Sequence, residues 1–153
     1  MIEHATDNLL QADVEALVNT VNTKGVMGQG VALQFKRALP ANFKAHRTAC
    51  EAGHVKLGQM FVYDSGHIGS QRYVINFTTK DHWRSQSRLA DIDAGLDDLR
   101  RVIAELQIES IAIPPLGCGL GGLHREDVRP RIDAALSGLA VRALVYEPQA
   151  PVG

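Results

Sequence analysis

Asn19 and Asn22 follow a short apolar run, Ala16-Leu17-Val18, and lead into Gly25, Gly28, Gln29 and Gly30 before an apolar-periodic segment opens at Val31. A strand that ends in Asn, passes a glycine loop and opens a helix makes an anion site. Free backbone N–H groups and the positive helix end face one spot, and glycine lets a ligand approach the main chain. A second loop, Gly117-Cys118-Gly119-Leu120-Gly121-Gly122, follows the apolar run Ser110 to Ile113 and precedes a helical segment. It fits the G-x-G-x-x-G pattern of dinucleotide folds, and Glu147 lies downstream where such a fold holds a ribose. Pro114-Pro115 interrupts the strand-to-loop turn, however, and the motif comes too late in 153 residues to leave room for the remaining strands of a nicotinamide domain. What survives is narrower: two glycine loops at one sheet edge cradle a diphosphate from two sides.

Lys80 follows the run Tyr73 to Phe77 and is expected at the same edge. A lysine partly buried near cleft walls has a lowered pKa and serves as nucleophile or general acid–base. At the anomeric carbon of an opened ribose it forms a Schiff base. Kept protonated, it stabilises charge on a leaving base or ribose. Asp81, His82, Glu126 and Asp127 are the candidates to assist it. His82, Trp83, Arg84 and Arg88 form the one stretch where an aromatic ring sits among cations. Bases stack on Trp and Arg holds phosphates, which is how single strands are gripped; the plain alternative is a surface loop. Cys118 reads as a small packing thiol rather than a nucleophile.

These groups need elements to hold them. Ile2 to His4 and Val14 to Val18 read as strands, with a turn at Thr6-Asp7-Asn8 between them. Val31, Phe35 and Leu39 share one helical face, and Pro40 ends that helix and begins another that stops near Gly53. Strands follow at Gly58 to Tyr63 and Tyr73 to Phe77. Leu89, Ile92, Leu96, Leu99, Ile103 and Leu106 mark the clearest amphipathic helix. After the strand Ser110 to Ile113 comes a helix over His124 to Leu136, which Pro130 should bend or start later. Val141 to Tyr146 is the last strand. The alternation predicts a three-layer α/β/α domain with a central mixed sheet, and ligands at the carboxyl ends of its strands.

The chain is 45% hydrophobic and 22% charged with a net charge of -1, which excludes a general basic surface. No apolar run approaches a membrane span. Cys50 and Cys118 make no disulfide framework and point to reduced, cytoplasmic thiols; six scattered His give no zinc-like spacing, so no metal is assigned. Residues 1–147 are expected to form the domain, and 148–153 a tail or the start of a linker.

Taken together, Thr6-Asp7-Asn8, the VNTVN at 18–22, the loop through Gly28 and Gly30 into Val31, and Pro115 to Leu123 resemble a macrodomain, the module that binds ADP-ribose. The matching pieces cover nearly the whole chain in the family's order. The resemblance implies that Asp7, with Asn8 beside it, bonds the adenine amino group. It places Asn19 and Asn22 near the distal ribose. Gly28, Gln29, Gly30 and Val31 would surround the diphosphate and that ribose, and Pro115, Gly117, Cys118, Gly119 and Leu120 would form the second diphosphate loop. NFTTKDHWR at 76–84 and the run GCGLGGL are similar to DNA ADP-ribosyl glycohydrolase antitoxins of the DarG type, which remove ADP-ribose from thymine bases of single-stranded DNA. That likeness implies a hydrolase with Lys80 as the catalytic lysine and no cofactor; His82, Trp83 and Arg84 are the candidates for contact with DNA on the residues alone. It implies ADP-ribose and ADP-ribosylated single-stranded DNA as partners, a cognate toxin reached through a further domain, and a monomer. Protein-directed relatives carry an Asp in the second loop where this chain has Gly121. The alternatives are hydrolysis of ADP-ribosylated protein carboxylates, or an ADP-ribose reader with no turnover.

Overall fold

Among the described residues six strands and four α-helices build the domain: β1 (Ile2–Ala5), β2 (Ala16–Asn22), α1 (Gly30–Ala38), α2 (Pro40–Glu51), β3 (Met60–Asp64), β4 (Tyr73–Lys80), α3 (Leu89–Leu106), β5 (Ser110–Ile113), α4 (Arg125–Leu136) and β6 (Arg142–Tyr146). The computed structural model describes residues 1–147, and the segment 148–153 expected as a tail lies outside the described residues. The sheet order is β1-β6-β5-β2-β4-β3. Neighbours are parallel except β3, which runs antiparallel to β4. This is neither the order nor the strand direction of a dinucleotide fold, so that reading of the second glycine loop falls.

Successive side chains of a strand point to opposite faces. In β2, Ala16 and Val18 join Ile92, Leu96 and Leu99 of α3 and Ile132 of α4 in one core. Leu17, between them, packs instead with Phe35, Val31 and Leu39 beside α1. A sheet covered on both faces needs strands that are apolar throughout, which is how β2 and β4 read. The result is the expected three-layer α/β/α architecture. On the buried stripe of α3, Gly95 is required by close approach: a Cβ there would lie 2.3 Å from both Cε1 and Cζ of the fully buried Phe77 ring of β4.

Several boundaries differ from the periodicity, among them the end of β4, which runs past Phe77 so that Lys80 is its last residue. β2 does not stop at Val18 but continues to Asn22, because its last residues still pair with β4. β3 starts at Met60 rather than Gly58. Pro130 does not delay α4, which begins at Arg125. Buried Val128, Ile132 and Leu136 recur at i, i+4 and hold the helix on the core, outweighing the backbone bond that proline forfeits.

The pairing of β2 with β4 also carries a register shift. Asn19 faces Asn76 and Val21 faces Thr78, but Asn22 faces Lys80. The irregularity after Val21 brings Lys80 level with Asn22 at the carboxyl end of the sheet.

Candidate functional site

The residues that follow β1, β6, β5, β2 and β4 open on one cleft of about 860 Å³, within the range of small-molecule sites. From β6 to β4 the sheet crosses three strand spacings, roughly 14 Å. The cleft is therefore elongated, with distinct ends and a middle.

The middle is walled by the two glycine loops. The N-cap of α1, Gln29, makes no side-chain capping bond, so the first-turn N–H groups of the helix lack internal partners. Gly30 sits at φ 61°, a conformation that suits glycine. In the second loop the N–H groups of Cys118, Gly121, Gly122 and Leu123 close the loop's own turns. Those of Gly117, Gly119 and Leu120 make no such bond among the described residues and are left for a ligand. A Cβ on Gly30 would come 3.5 Å from Leu120 Cδ1, so the loops nearly meet across the cleft. Two sets of free N–H groups facing one gap suit a diphosphate.

Lys80 marks one end. Its Nζ donates to the Trp83 carbonyl at 2.9 Å, and burial lowers its pKa from the ordinary lysine value. Trp83 and Arg84 line the same end. His82 does not line it: its ring stacks on Trp83 at 3.6 Å and its Nδ1 accepts from the Arg84 N–H, so it buttresses Trp83 from outside the cleft. Asp81 also stays off the cleft. Thr23 Oγ1 donates to its carbonyl at 2.9 Å and to its carboxylate, and Lys24 lies 3.8 Å away. The Thr23 hydroxyl, then Lys24, hold that carboxyl below its usual range, which makes it a latch to the first loop rather than a base. Glu126 and Asp127 occupy the first turn of α4, where acids favour the helix dipole, and do not line the cleft. An acid at Gly121 would have to displace Ser87, since a Cβ there would be 2.7 Å from Ser87 Oγ.

Asp7, Asn8, Tyr146 and Glu147 form the other end. Asn8 is occupied as a cap, its Oδ1 accepting from Leu10 N at 3.1 Å. Burial, then the neighbouring Asp7, pushes the Tyr146 phenol above its usual pKa. Glu147 is held by Arg125, by Arg129 at 2.9 Å and by His4 at 3.8 Å. Asp7 lies beside the Tyr146 hydroxyl and has no ion-pair cage of this kind among the described residues, which leaves it able to accept from an amino group. Cys118 lines the middle, and burial followed by Glu126 raises its pKa, so the thiol stays protonated and behaves as packing.

Asn22, Gly28, Val31, Pro115 and Gly117 line the cleft as well. Asn19 does not, and its placement at a ribose is corrected. It is fully buried, with Nδ2 donating to Asn76 Oδ1 at 3.2 Å and to Met27 Sδ at 3.8 Å. Asn42 of α2 joins the same cluster, exchanging bonds of 3.2 and 2.9 Å with Asn76. The cluster lies behind the first loop and fixes β2, β4 and α2 together. Sequence reasoning missed Tyr146, Thr79 and Ser87 as lining residues. Tyr146 is the last residue of β6 as Lys80 is of β4, so attention to the carboxyl-terminal residue of each parallel strand would have found it.

A family model described as "Macro domain" matches residues 18–132. A curated protein of Mycobacterium tuberculosis named "DNA ADP-ribosyl glycohydrolase" is 55% identical over 149 residues, 97% of this chain and 42% of that protein. The chain thus spans about two fifths of the length of the curated relatives it matches so closely. The solved structure "Macrodomain of Mycobacterium tuberculosis DarG" superposes with a TM-score of 0.95 at 55% identity, covering 97% of this chain and 99% of that one. "Thermosipho africanus DarTG in complex with ADP-ribose" superposes with a TM-score of 0.91 at 28% identity, covering 98% of this chain and 43% of that one.

Proposed function

The chain belongs to the macrodomain family, and from that premise we propose that its cleft binds ADP-ribose and hydrolyses the bond joining ADP-ribose to thymine in single-stranded DNA. One observation carries the reading. A lysine shifted toward its neutral form by burial stands at one end of a cleft whose middle is walled by two loops with free N–H groups. Adenine would sit at Asp7 and Tyr146, the diphosphate between the loops, and the distal ribose at Asn22 and Lys80. Trp83, 45% exposed beside Arg84, would stack the modified base or its neighbour. The relatives named DNA ADP-ribosyl glycohydrolase support the same chemistry.

Hydrolysis places the hydroxyl of water on the anomeric carbon and its proton on the base nitrogen. Lys80 can enter in two ways. The neutral amine adds to the anomeric carbon as the base departs with a proton, and water then releases ADP-ribose from the lysine. Alternatively the ammonium stabilises charge developing on the base. The packing of Gly121 against Ser87 leaves Lys80 without the loop acid of protein-directed relatives. That favours DNA over protein carboxylates. In this role the domain reverses the product of a DNA ADP-ribosyltransferase toxin.

The test incubates an oligonucleotide carrying ADP-ribosylated thymine with the protein and with Lys80→Ala. Recovery of the unmodified band by the parent alone supports the proposal. Equal cleavage by Lys80→Ala removes the lysine from the chemistry. No cleavage by either, with calorimetric binding of ADP-ribose, makes the chain a reader or a protein-directed hydrolase. Borohydride trapping of a lysine adduct separates the two roles of Lys80.

A further inference from the structure

Four buried side-chain atoms lack a hydrogen-bond partner among the described residues: Asn19 Oδ1, Thr78 Oγ1, Ser87 Oγ and Asp133 Oδ1. Of these residues only Ser87 lines the cleft. Ser87 is 5% exposed, and its N–H donates to the Gly121 carbonyl at 2.9 Å. A Cβ at Gly121 would meet Ser87 Oγ at 2.7 Å, and one at Gly117 would meet Ser87 Cβ at 3.2 Å. The second loop therefore closes over this hydroxyl with two bare Cα atoms. Bulk alone does not explain a serine here. Alanine would keep the Cβ against both glycines without burying an unpaired hydroxyl, which costs free energy.

An unpaired donor in a ligand cleft is explained when the ligand brings its acceptor. Ser87 lies on the segment between Lys80 and α3 and packs under Gly117 and Gly121, so it sits where the second loop meets the lysine side of the cleft. We propose that Ser87 is a further substrate-positioning residue. With the cleft filled, its hydroxyl donates to an oxygen at the lysine end, either a hydroxyl of the distal ribose or the attacking water. A small shift of the Gly119–Gly122 turn uncovers it. This inference rests on the hydrolase reading above.

The experiment compares the parent chain with Ser87→Ala and Ser87→Cys. Cysteine keeps the bulk but is a far weaker donor. Cleavage of the ADP-ribosylated oligonucleotide gives kcat and KM, calorimetry gives Kd for free ADP-ribose, and thermal unfolding reports structure. Both variants should lose kcat by about 10-fold or more, the scale of one lost hydrogen bond, with an unfolding midpoint no lower than the parent's. A matching loss of ADP-ribose affinity assigns the ribose hydroxyl as acceptor, and unchanged affinity assigns the water. Unchanged kcat and Kd, or a loss confined to Ser87→Ala with a lowered midpoint, makes Ser87 a spacer and overturns the proposal. A parent that fails to cleave sinks the hydrolase reading by itself. The Kd comparison then decides Ser87 alone, and an unchanged Kd overturns it.

Discussion

Gly95→Ala sets two effects of opposite sign against each other. In a helix interior Ala is favoured over Gly by about 1 kcal/mol. Against this, the new methyl would sit 2.3 Å from Cε1 and Cζ of Phe77 and 3.2 Å from Cδ1, where ordinary contact begins near 3.4 Å. The ring is fully buried among Ile75, Ile92 and Leu96, so it has no solvent to swing into. Overpacking of a filled core costs about 1–3 kcal/mol, and a contact this short belongs at the top of that range. The net is a loss of about 2 kcal/mol. For a domain of this size that lowers the unfolding midpoint by about 4–8 °C. Thermal unfolding followed by circular dichroism measures it, with a urea titration at unchanged m-value to confirm a stability effect. In a Phe77→Leu background the clashing ring atoms are gone, and the same Gly95→Ala change should become neutral or stabilising. The cycle should show a coupling of at least about 1 kcal/mol. A Gly95→Ala protein as stable as its parent, or more so, refutes the close-approach argument.

His46 is buried to 1% exposure beside Cys50, and burial pushes its pKa down from 6.5 to about 4. The unfolded chain takes up a proton that the folded chain refuses, so this contribution is present above pH 6.5 and is lost as pH falls toward 4, to a total of about 3 kcal/mol. His46→Gln should flatten the fall in urea-unfolding free energy between pH 7 and 4; parallel curves for the two proteins contradict it. For Lys80 the lowered pKa enlarges the neutral fraction below the ordinary lysine range. In single-turnover cleavage the rate should rise with pH until that depressed pKa is passed, and a rate that falls instead assigns the work to the ammonium. Trp83→Ala should raise KM for the modified oligonucleotide by about 10-fold, one stacking contact, with Kd for free ADP-ribose unchanged. Equal losses of both would place Trp83 at ADP-ribose itself.

The architecture was legible because its signals are local. The stripe from Leu89 to Leu106 is α3, and the strand-loop-helix grammar around Gly28 and Gly30 is β2 and α1. The glycine loops were found by the pattern of strand, glycine and helix, and Lys80 by its place after a strand together with the likeness of its segment to the antitoxin hydrolases. Asn19 was misplaced because its meaning is set by partners far along the chain. An Asn within ALVNTVN reads as a strand end, yet pairing with β4 carries the strand on, and a register shift after Val21 separates the fates of Asn19 and Asn22. The clue was a second Asn inside another apolar run, Asn76 in YVINFT: two amides in buried strands must satisfy each other. Ser87 was invisible for a like reason, since a serine before a helix reads as a cap. Its place under Gly117 and Gly121 exists only in three dimensions.

The asparagine cluster has a historical consequence. Asn76 accepts from Asn19 and from Asn42 through one oxygen, and gives its two protons to Asn42 and to the Phe61 carbonyl at 3.1 Å. An apolar residue at any one of the three positions strands amides that the other two retain, in a place closed to solvent. Descent by single substitutions therefore meets a valley between this interior and an all-apolar one, although both ends of the path would fold. Lineages that inherit the triad are held to it by the order in which changes must arrive, whatever ligand the cleft in front of it has come to serve.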